Sequence, residues 1–416
     1  MRIGAGSSAR DPAAASKGPR RRGQDIASRN TAPPIPVAPG RRFGYGAGMD
    51  TEFDIFLICP PGLEPLLVEE AQEAGFVAPV ASPGGVTLRG GWPEVWRANL
   101  QLRGAVRVLA RIGSFRALHL AQLDKRARKF PWAEVLRPDV PVKVEASCHG
   151  SRIYHAGAAA ERIERAIREE LGAPVVPEAA LTVRLRIEDD LATLSLDTSG
   201  EPLHKRGHKE AVNKAPMREN LAALFLRACG YAGAEPVVDP MCGSGTFVIE
   251  AAEIALGLAP GRTRRFAFED LAAFDPAAWA AMRTGAPRDT ALRFAGSDRD
   301  DGAIRMSRAN AERAEVAAVA EFHRRPVSEA EPPAGPAGLV MVNPPYGARI
   351  GNPKLLIPLH GALGRALRER FAGWRVGLVT ADPALARATG LPFGAPGPHV
   401  PHGGLKVRLY QTGPLG

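Results

Sequence analysis

Asn343, Pro344, Pro345 and Tyr346 follow the apolar run Gly338-Leu339-Val340-Met341-Val342. These residue types suit one kind of chemistry. The exocyclic amine of guanine or adenine is a poor nucleophile, because its lone pair is spread into the ring. Acceptors on its two N–H bonds push the nitrogen toward a tetrahedral, nucleophilic state. The side-chain oxygen of Asn343 and the carbonyl of Pro344 can supply two such acceptors. Pro344 and Pro345 fix the loop and bring no competing donor. Tyr346 offers a face on which a flipped base can stack. With a sulfonium as methyl donor no strong general base is needed, and positioning contributes most of the effect. In isolation the same four residues could form a structural turn. The motif upstream argues against that.

That motif is Val237-Val238-Asp239-Pro240-Met241-Cys242-Gly243-Ser244-Gly245-Thr246: an apolar run, an acid and a glycine-rich turn before an apolar helix pattern. Glycines let backbone approach a ligand, and the following helix presents free N–H groups. The turn is not Gly-x-Gly-x-x-Gly, and no Lys-Ser/Thr follows it, so a phosphate loop is disfavoured. Asp239 suits a cationic group, and the methionine ammonium of S-adenosylmethionine fits that place. The two loops together predict an S-adenosylmethionine-dependent N-methyltransferase. Its expected cofactor residues are Asp239, Pro240, Met241, Cys242, Gly243, Ser244, Gly245, Asp298 and Asn343. Its expected catalytic residues are Asn343, Pro344, Pro345 and Tyr346.

Asp298 is assigned to the ribose hydroxyls because the run 291–297 before it reads as a strand. Glu269 and Asp270 lie nearer the usual spacing of about 20 residues past the glycines, but no strand precedes them. The choice of Asp298 implies an insertion at about 257–288. Asp300 and Asp301 are nearby competitors that more simply begin and cap the next helix. The adenine contact is expected within 321–329. Ser328 stands there where an acid would be comfortable, and no residue is assigned. Cys242 has no visible base partner and reads as a small apolar lining residue. The histidines show no ligand spacing with the cysteines at 59, 148, 229 and 242, so no metal is predicted. The same cysteine usage favours a reducing, cytosolic compartment.

These loops need a scaffold. From 212 to 416 the pattern alternates strand and helix, with strands expected at 236–239, 291–297, 338–342, 374–380 and 406–411 and helices at 216–229, 301–314 and 356–371. Such alternation predicts an α/β domain with a doubly wound parallel sheet and ligands at the carboxyl ends of its strands. Upstream, 53–58, 85–89 and 105–112 read as strands, with helices at 63–74 and 92–100. A second α+β unit follows from 113 to 200, with a strand at 140–146, a helix at 155–171 and a hairpin of 181–187 and 191–197 around Glu188-Asp189-Asp190. No apolar run approaches the roughly 18 residues of a membrane span.

The net charge of +10 is unevenly placed. Residues 1–48 hold nine Lys/Arg and two Asp, which leaves +3 for the rest of the chain. That segment lacks apolar periodicity and reads as disordered. It could be a transit peptide or a basic tail, or Met49 could be the true start, and the last is preferred. Two basic clusters lie in the body. One spans 103–129, with Arg103, Arg107, Arg111, Arg116, Lys125, Arg126, Arg128 and Lys129; the other holds Lys205, Arg206, Lys209, Lys214 and Arg218. Either could be a solvated face. Upstream of a nucleobase-type loop, they point toward RNA, with Lys125, Arg126, Arg128, Lys129, Lys205 and Arg206 as expected contacts.

Four stretches together carry a resemblance: Asp197 to Gly207, Ala215 to Ala223, Asp239 to Thr246 and Asn343 to Gly347. In that order the chain resembles the THUMP-domain-containing S-adenosylmethionine-dependent RNA guanine-N2 methyltransferases of the large-subunit ribosomal RNA methyltransferase L type. The resemblance covers about 50–416. It implies a Rossmann-like seven-stranded class I methyltransferase domain over 212–416, preceded by a ferredoxin-like unit at 50–112 and a THUMP RNA-binding unit at 113–200. The implied partner is RNA, 23S ribosomal RNA first and transfer RNA next, with no membrane and no metal. Some relatives carry a second methyltransferase domain that this sequence does not contain. DNA adenine-N6 methylation and a non-catalytic RNA-binding assembly factor stay open as alternatives.

Overall fold

Every second residue of Phe53–Ile58 (β1) is buried, the period of a strand with one face on a core. In this computed structural model, which describes residues 52–210, 216–346 and 355–416, β1 pairs antiparallel with Gly85–Gly90 (β3) and Arg107–Arg116 (β4). Val80–Ser82 (β2) flanks β3. Helices Glu64–Glu73 (α1) and Trp92–Gln101 (α2) connect these strands and bury Leu67, Trp92 and Trp96. The tail 1–48, with Met49 as a candidate start, lies outside the described residues, as does Lys214.

β4 runs past the expected boundary at 112 and, beyond a bulge between Arg111 and Gly113, pairs with Leu191–Asp197 (β7). Leu181–Glu188 (β6) and Val142–His149 (β5) complete one seven-stranded sheet in the order β2-β3-β1-β4-β7-β6-β5. The two amino-terminal units of the sequence reading therefore share a sheet. Asp189 and Asp190, at φ 49° and 62°, turn the β6–β7 hairpin. Leu120–Arg128 (α3) packs on Ala156–Ala166 (α4), which runs on through a π-helical turn to Leu171.

Beyond Glu219–Ala228 (α5) come Val237–Asp239 (β8), Thr246–Ala255 (α6), Pro276–Met282 (α7), Phe294–Asp298 (β9), Asp301–Arg313 (α8), Ala320–Arg324 (β10) and Leu339–Val342 (β11). Leu356–Arg370 (α9), Arg375–Thr380 (β12), Pro383–Ala388 (α10), Val400–His402 (β13) and Leu405–Gln411 (β14) follow. The second sheet has the order β10-β9-β8-β11-β12-β14-β13. β10 to β12 are parallel, and β14 joins β12 antiparallel. β8 and β11 are all buried, as expected of strands covered on both faces. The strand order reverses between β8 and β11, which places a crevice at their carboxyl ends.

The expected insertion holds the two sheets together. Phe266, Phe268, Phe274 and Trp279 come from it, and Trp96 of α2 lies 6.1 Å from Phe268 and 5.9 Å from Phe274 between ring centroids. Beside these rings runs a buried ionic network. Arg103 binds Glu250 at 2.7 Å and Glu253 at 3.3 Å, both carboxylates standing on α6. Arg206 and Arg262 complete it, at 3.3 Å from Glu250 and 2.7 Å from Glu253.

Candidate active site

Three adjacent strands end at one place: β9 at Asp298, β8 at Asp239 and β11 just before Asn343. The glycine-rich turn between β8 and α6 is tied down by the same residues. The Asp239 Oδ1 accepts from the Met241 amide at 3.0 Å. The Cys242 amide donates to the Ser297 carbonyl at 2.9 Å, and the Gly243 amide to Asp298 Oδ2 at 3.1 Å. Asn310 of α8 donates to the Ser244 carbonyl at 3.1 Å. These bonds hold the turn open over a cavity of about 260 Å³ lined by Asp239, Gly243, Asp298, Asn343 and Tyr346 among others.

The two glycines have different tasks. Gly243, at φ +53°, has no heavy atom within 4 Å of where a Cβ would stand, so its Cα faces open space while its amide holds Asp298. Gly245, at φ +84°, would press a Cβ to 3.0 Å from Phe322 and Ser307. It does not line the cavity. Its place among the expected cofactor contacts is corrected to that of a packing residue at the start of α6.

The electrostatics are unusual for a cluster of acids. Asp239 is 2 % exposed, and burial, with the Asp298 carboxylate adding, pushes its carboxyl up to about 8. The Cys242 thiol is pushed well above its ordinary value by burial and by the same two acids, which suits a lining residue rather than a nucleophile. Asn343 Oδ1 is buried and has no hydrogen-bond partner among the described residues. A buried polar oxygen left unpaired is costly and calls for an explanation. Tyr346 is 7 % exposed, with its ring on the cavity wall and its hydroxyl pushed up to about 12 by burial.

Pro240, Met241, Cys242, Ser244, Pro344 and Pro345 also line the cavity. The wall contains residues that the sequence reading missed: Met217, Phe247, Arg299, Val327 and Leu359. In the expected adenine region the cavity touches Val327, whereas Ser328 is exposed. Val327, a lone apolar residue between Pro326 and Ser328, was the available signal. Among the described residues no group of three or more His, Cys, Asp or Glu side chains could hold a metal ion, and no helix is long and apolar enough to cross a membrane.

Two expected RNA contacts are corrected. Arg206 is 2 % exposed and donates to the carbonyls of Leu203 and Arg103 at 2.8 Å each, besides reaching Glu250. It belongs to the seam between the sheets. Arg128 is engaged by Asp124, Glu169 and Glu170 at 3.2, 2.5 and 2.9 Å, and so bridges α3 to the turn after α4. Arg103, in the same cluster, is buried in the ionic network. Lys125, Arg126, Lys129 and Lys205 are exposed, the last paired with Glu201 at 2.5 Å.

Comparison with known proteins agrees with this architecture. Residues 206–392 match the model of the RMKL-like methyltransferase domain, and 54–109 that of the RlmL ferredoxin-like domain. Over 206–392 the chain is similar to the RMKL-like methyltransferase domain. Along 364 residues, 82 % of the chain, it is 36 % identical to the ribosomal RNA large subunit methyltransferase K/L of Syntrophotalea carbinolica, of which it covers 51 %. It thus spans about half the length of the curated relatives it matches. Among solved structures, SMU.472 complexed with SAH superposes with a TM-score of 0.79 at 26 % identity, over 88 % of this chain and 100 % of that one. A predicted N6-adenine-specific DNA methylase from Listeria monocytogenes superposes at 0.78 with 27 % identity, over 88 % and 97 %.

Proposed function

We propose that this protein transfers a methyl group from S-adenosylmethionine to the exocyclic N2 of a guanine in RNA, with 23S ribosomal RNA as the substrate. The observation that carries the reading is the unpaired Asn343 Oδ1, buried at the wall of the cavity that Asp239 and Asp298 also line. The relatives named for large-subunit ribosomal RNA support the choice of polymer.

The residues present fit the cofactor. The open space over Gly243, the acid Asp239 and the half-exposed Asp298 match a ligand with an ammonium, a sulfonium and ribose hydroxyls. Asp239 would hold the ammonium and Asp298 the ribose, with Pro240, Met241, Cys242 and Ser244 as walls. When bound, S-adenosylmethionine supplies a methyl group activated on sulfur. Asn343 and Pro344 accept from the two N–H bonds of the target amine and direct its lone pair into the cavity. Pro345 stiffens the loop, and Tyr346 supports the base. One proton leaves the nitrogen as it takes the methyl group. The 113–200 half of the first sheet would act as the THUMP unit, with Lys125, Arg126 and Lys129 on the RNA; Lys205 lies beyond it and is held by Glu201.

Guanine N2 and adenine N6 are both exocyclic amines, and the Listeria relative is named for the second, so the test must separate them. Labelled S-adenosylmethionine is offered with 23S ribosomal RNA, transfer RNA and duplex DNA, and the products are read as modified nucleosides by mass spectrometry. N2-methylguanosine from 23S RNA is the expected product. N6-methyladenine in DNA as the main product would overturn the reading. Asn343→Ala should lower turnover by roughly 10²–10³-fold, the loss typical of one oriented transition-state partner. Cofactor affinity in that variant should change far less. Turnover near wild type on natural RNA would remove Asn343 from the chemistry.

A further inference from the structure

A second cavity, of about 660 Å³, shares a wall with the first, since Pro216 and Met217 line both. Its other walls come from the loop 201–209, from Arg264 and Arg265 in the insertion, from Arg218 before α5 and from His402 at the end of β13. Segments far apart in sequence thus bring polar groups to one place beside the proposed base pocket.

Several of these charges are cancelled locally. Lys205 pairs with Glu201 at 2.5 Å, Lys209 with Glu219 at 3.1 Å and Arg265 with Asp270 at 2.6 Å. Arg264 is different. Its guanidinium donates to the carbonyls of Ser199, Glu201, Pro202 and Lys205, which fix the group in place without neutralising it. Burial, and then Arg206 nearby, push it down to about 10. Arg218 is exposed at the mouth.

The histidines give an independent observation. His402 is 5 % exposed, and neither ring nitrogen has a hydrogen-bond partner among the described residues. His204 Nδ1 is unpartnered as well. Burial, and next the Arg218 charge, push both imidazoles down to about 4. Near neutral pH they therefore offer N–H donors without charge, in a space whose potential is already positive. Buried donors facing surplus cations are suited to an anion with several acceptor oxygens.

We infer that this cavity seats a backbone phosphate of the RNA strand next to the target base, with charge from Arg218 and Arg264 and hydrogen bonds from His204 and His402. A base held at Asn343 drags its own phosphodiester along, so an anion seat sharing a wall with the base pocket has an obvious occupant. The inference rests on the RNA reading proposed above.

The test uses the full chain, Arg218→Gln and His402→Ala, each titrated with a 23S ribosomal RNA transcript over a series of salt concentrations. Cofactor affinity, methyl transfer and melting temperature are measured beside it. Arg218→Gln should weaken RNA binding about tenfold and flatten the log–log salt slope by about 1. His402→Ala should weaken binding without changing the slope, because the lost donor is neutral. Cofactor affinity should be unchanged in both. Should His402→Ala melt early, Arg218→Gln decides alone, since its side chain is exposed. RNA affinity and slope equal to wild type in Arg218→Gln overturn the inference. Wild-type protein that binds RNA with the expected slope yet transfers no methyl group would sink the proposed function and leave the phosphate seat standing. Wild-type protein that binds no RNA sinks both.

Discussion

Asp239 is the residue whose state most depends on what fills the cavity. With its carboxyl pushed up to about 8 from an ordinary 3.8, it is protonated in the ligand-free protein at neutral pH. A folded-state value above the unfolded one means that folding takes up a proton between the two. The stability this contributes is complete below 3.8 and is lost as the pH rises through about 8. A cationic ligand has the opposite preference, because it recognises the carboxylate. Cofactor affinity should therefore climb as the pH rises toward about 8 and level off above it, with proton release on binding. Calorimetric titration in buffers of different ionisation enthalpy measures both. Asp239→Asn should bind more weakly and with a flat pH profile; a flat profile in the wild type would contradict this account.

At the scale of elements, the glycine turn makes two distinguishable expectations. Gly243→Ala adds a methyl group to open cavity, at a backbone cost of roughly 1–2 kcal/mol for a left-handed residue. It should lose cofactor affinity more than stability. Gly245→Ala adds the methyl group against Phe322 and Ser307, so melting temperature should fall further, with loss of affinity as a consequence. If the two variants behave alike in both measurements, the division of labour is wrong. This turn was legible because acid, proline and glycines stand together in the sequence. Asp298 was legible too, because a recognisable strand leads to it. Other parts were not. β2 and β13 have three residues each, too few for a period to show. α3 is so polar that its charges, rather than its buried Leu123 and Ala127, dominate the local pattern. Arg206 reads as a surface cation, because the carboxylate that accommodates its burial, Glu250, lies 44 positions away.

The whole molecule depends on the seam between the sheets. Arg103 sits in it with two carboxylates, and Glu253 is fully buried. Replacing Arg103 by Ala leaves Glu250 with Arg206 alone and Glu253 with Arg262 alone; losing buried charged hydrogen bonds of this kind typically costs about 1.5–3 kcal/mol. Chemical denaturation should show that loss, while cofactor affinity measured well below the transition changes little. A stability within experimental scatter of wild type would mean that the network is dispensable.

That seam has a consequence for how a substrate is chosen. Both sheets belong to one compact unit. On the RNA reading proposed above, the exposed cations of α3 and the pocket at Asn343 would act as two jaws of a caliper, held at one opening by the seam. Such an instrument would select a nucleotide by its position relative to a docked stretch of RNA, with little regard for the letters around it. Lengthening the RNA by one base pair between the docked stretch and the target guanine should sharply reduce methylation, although affinity barely changes. Restoring the spacing with a different sequence should restore the activity.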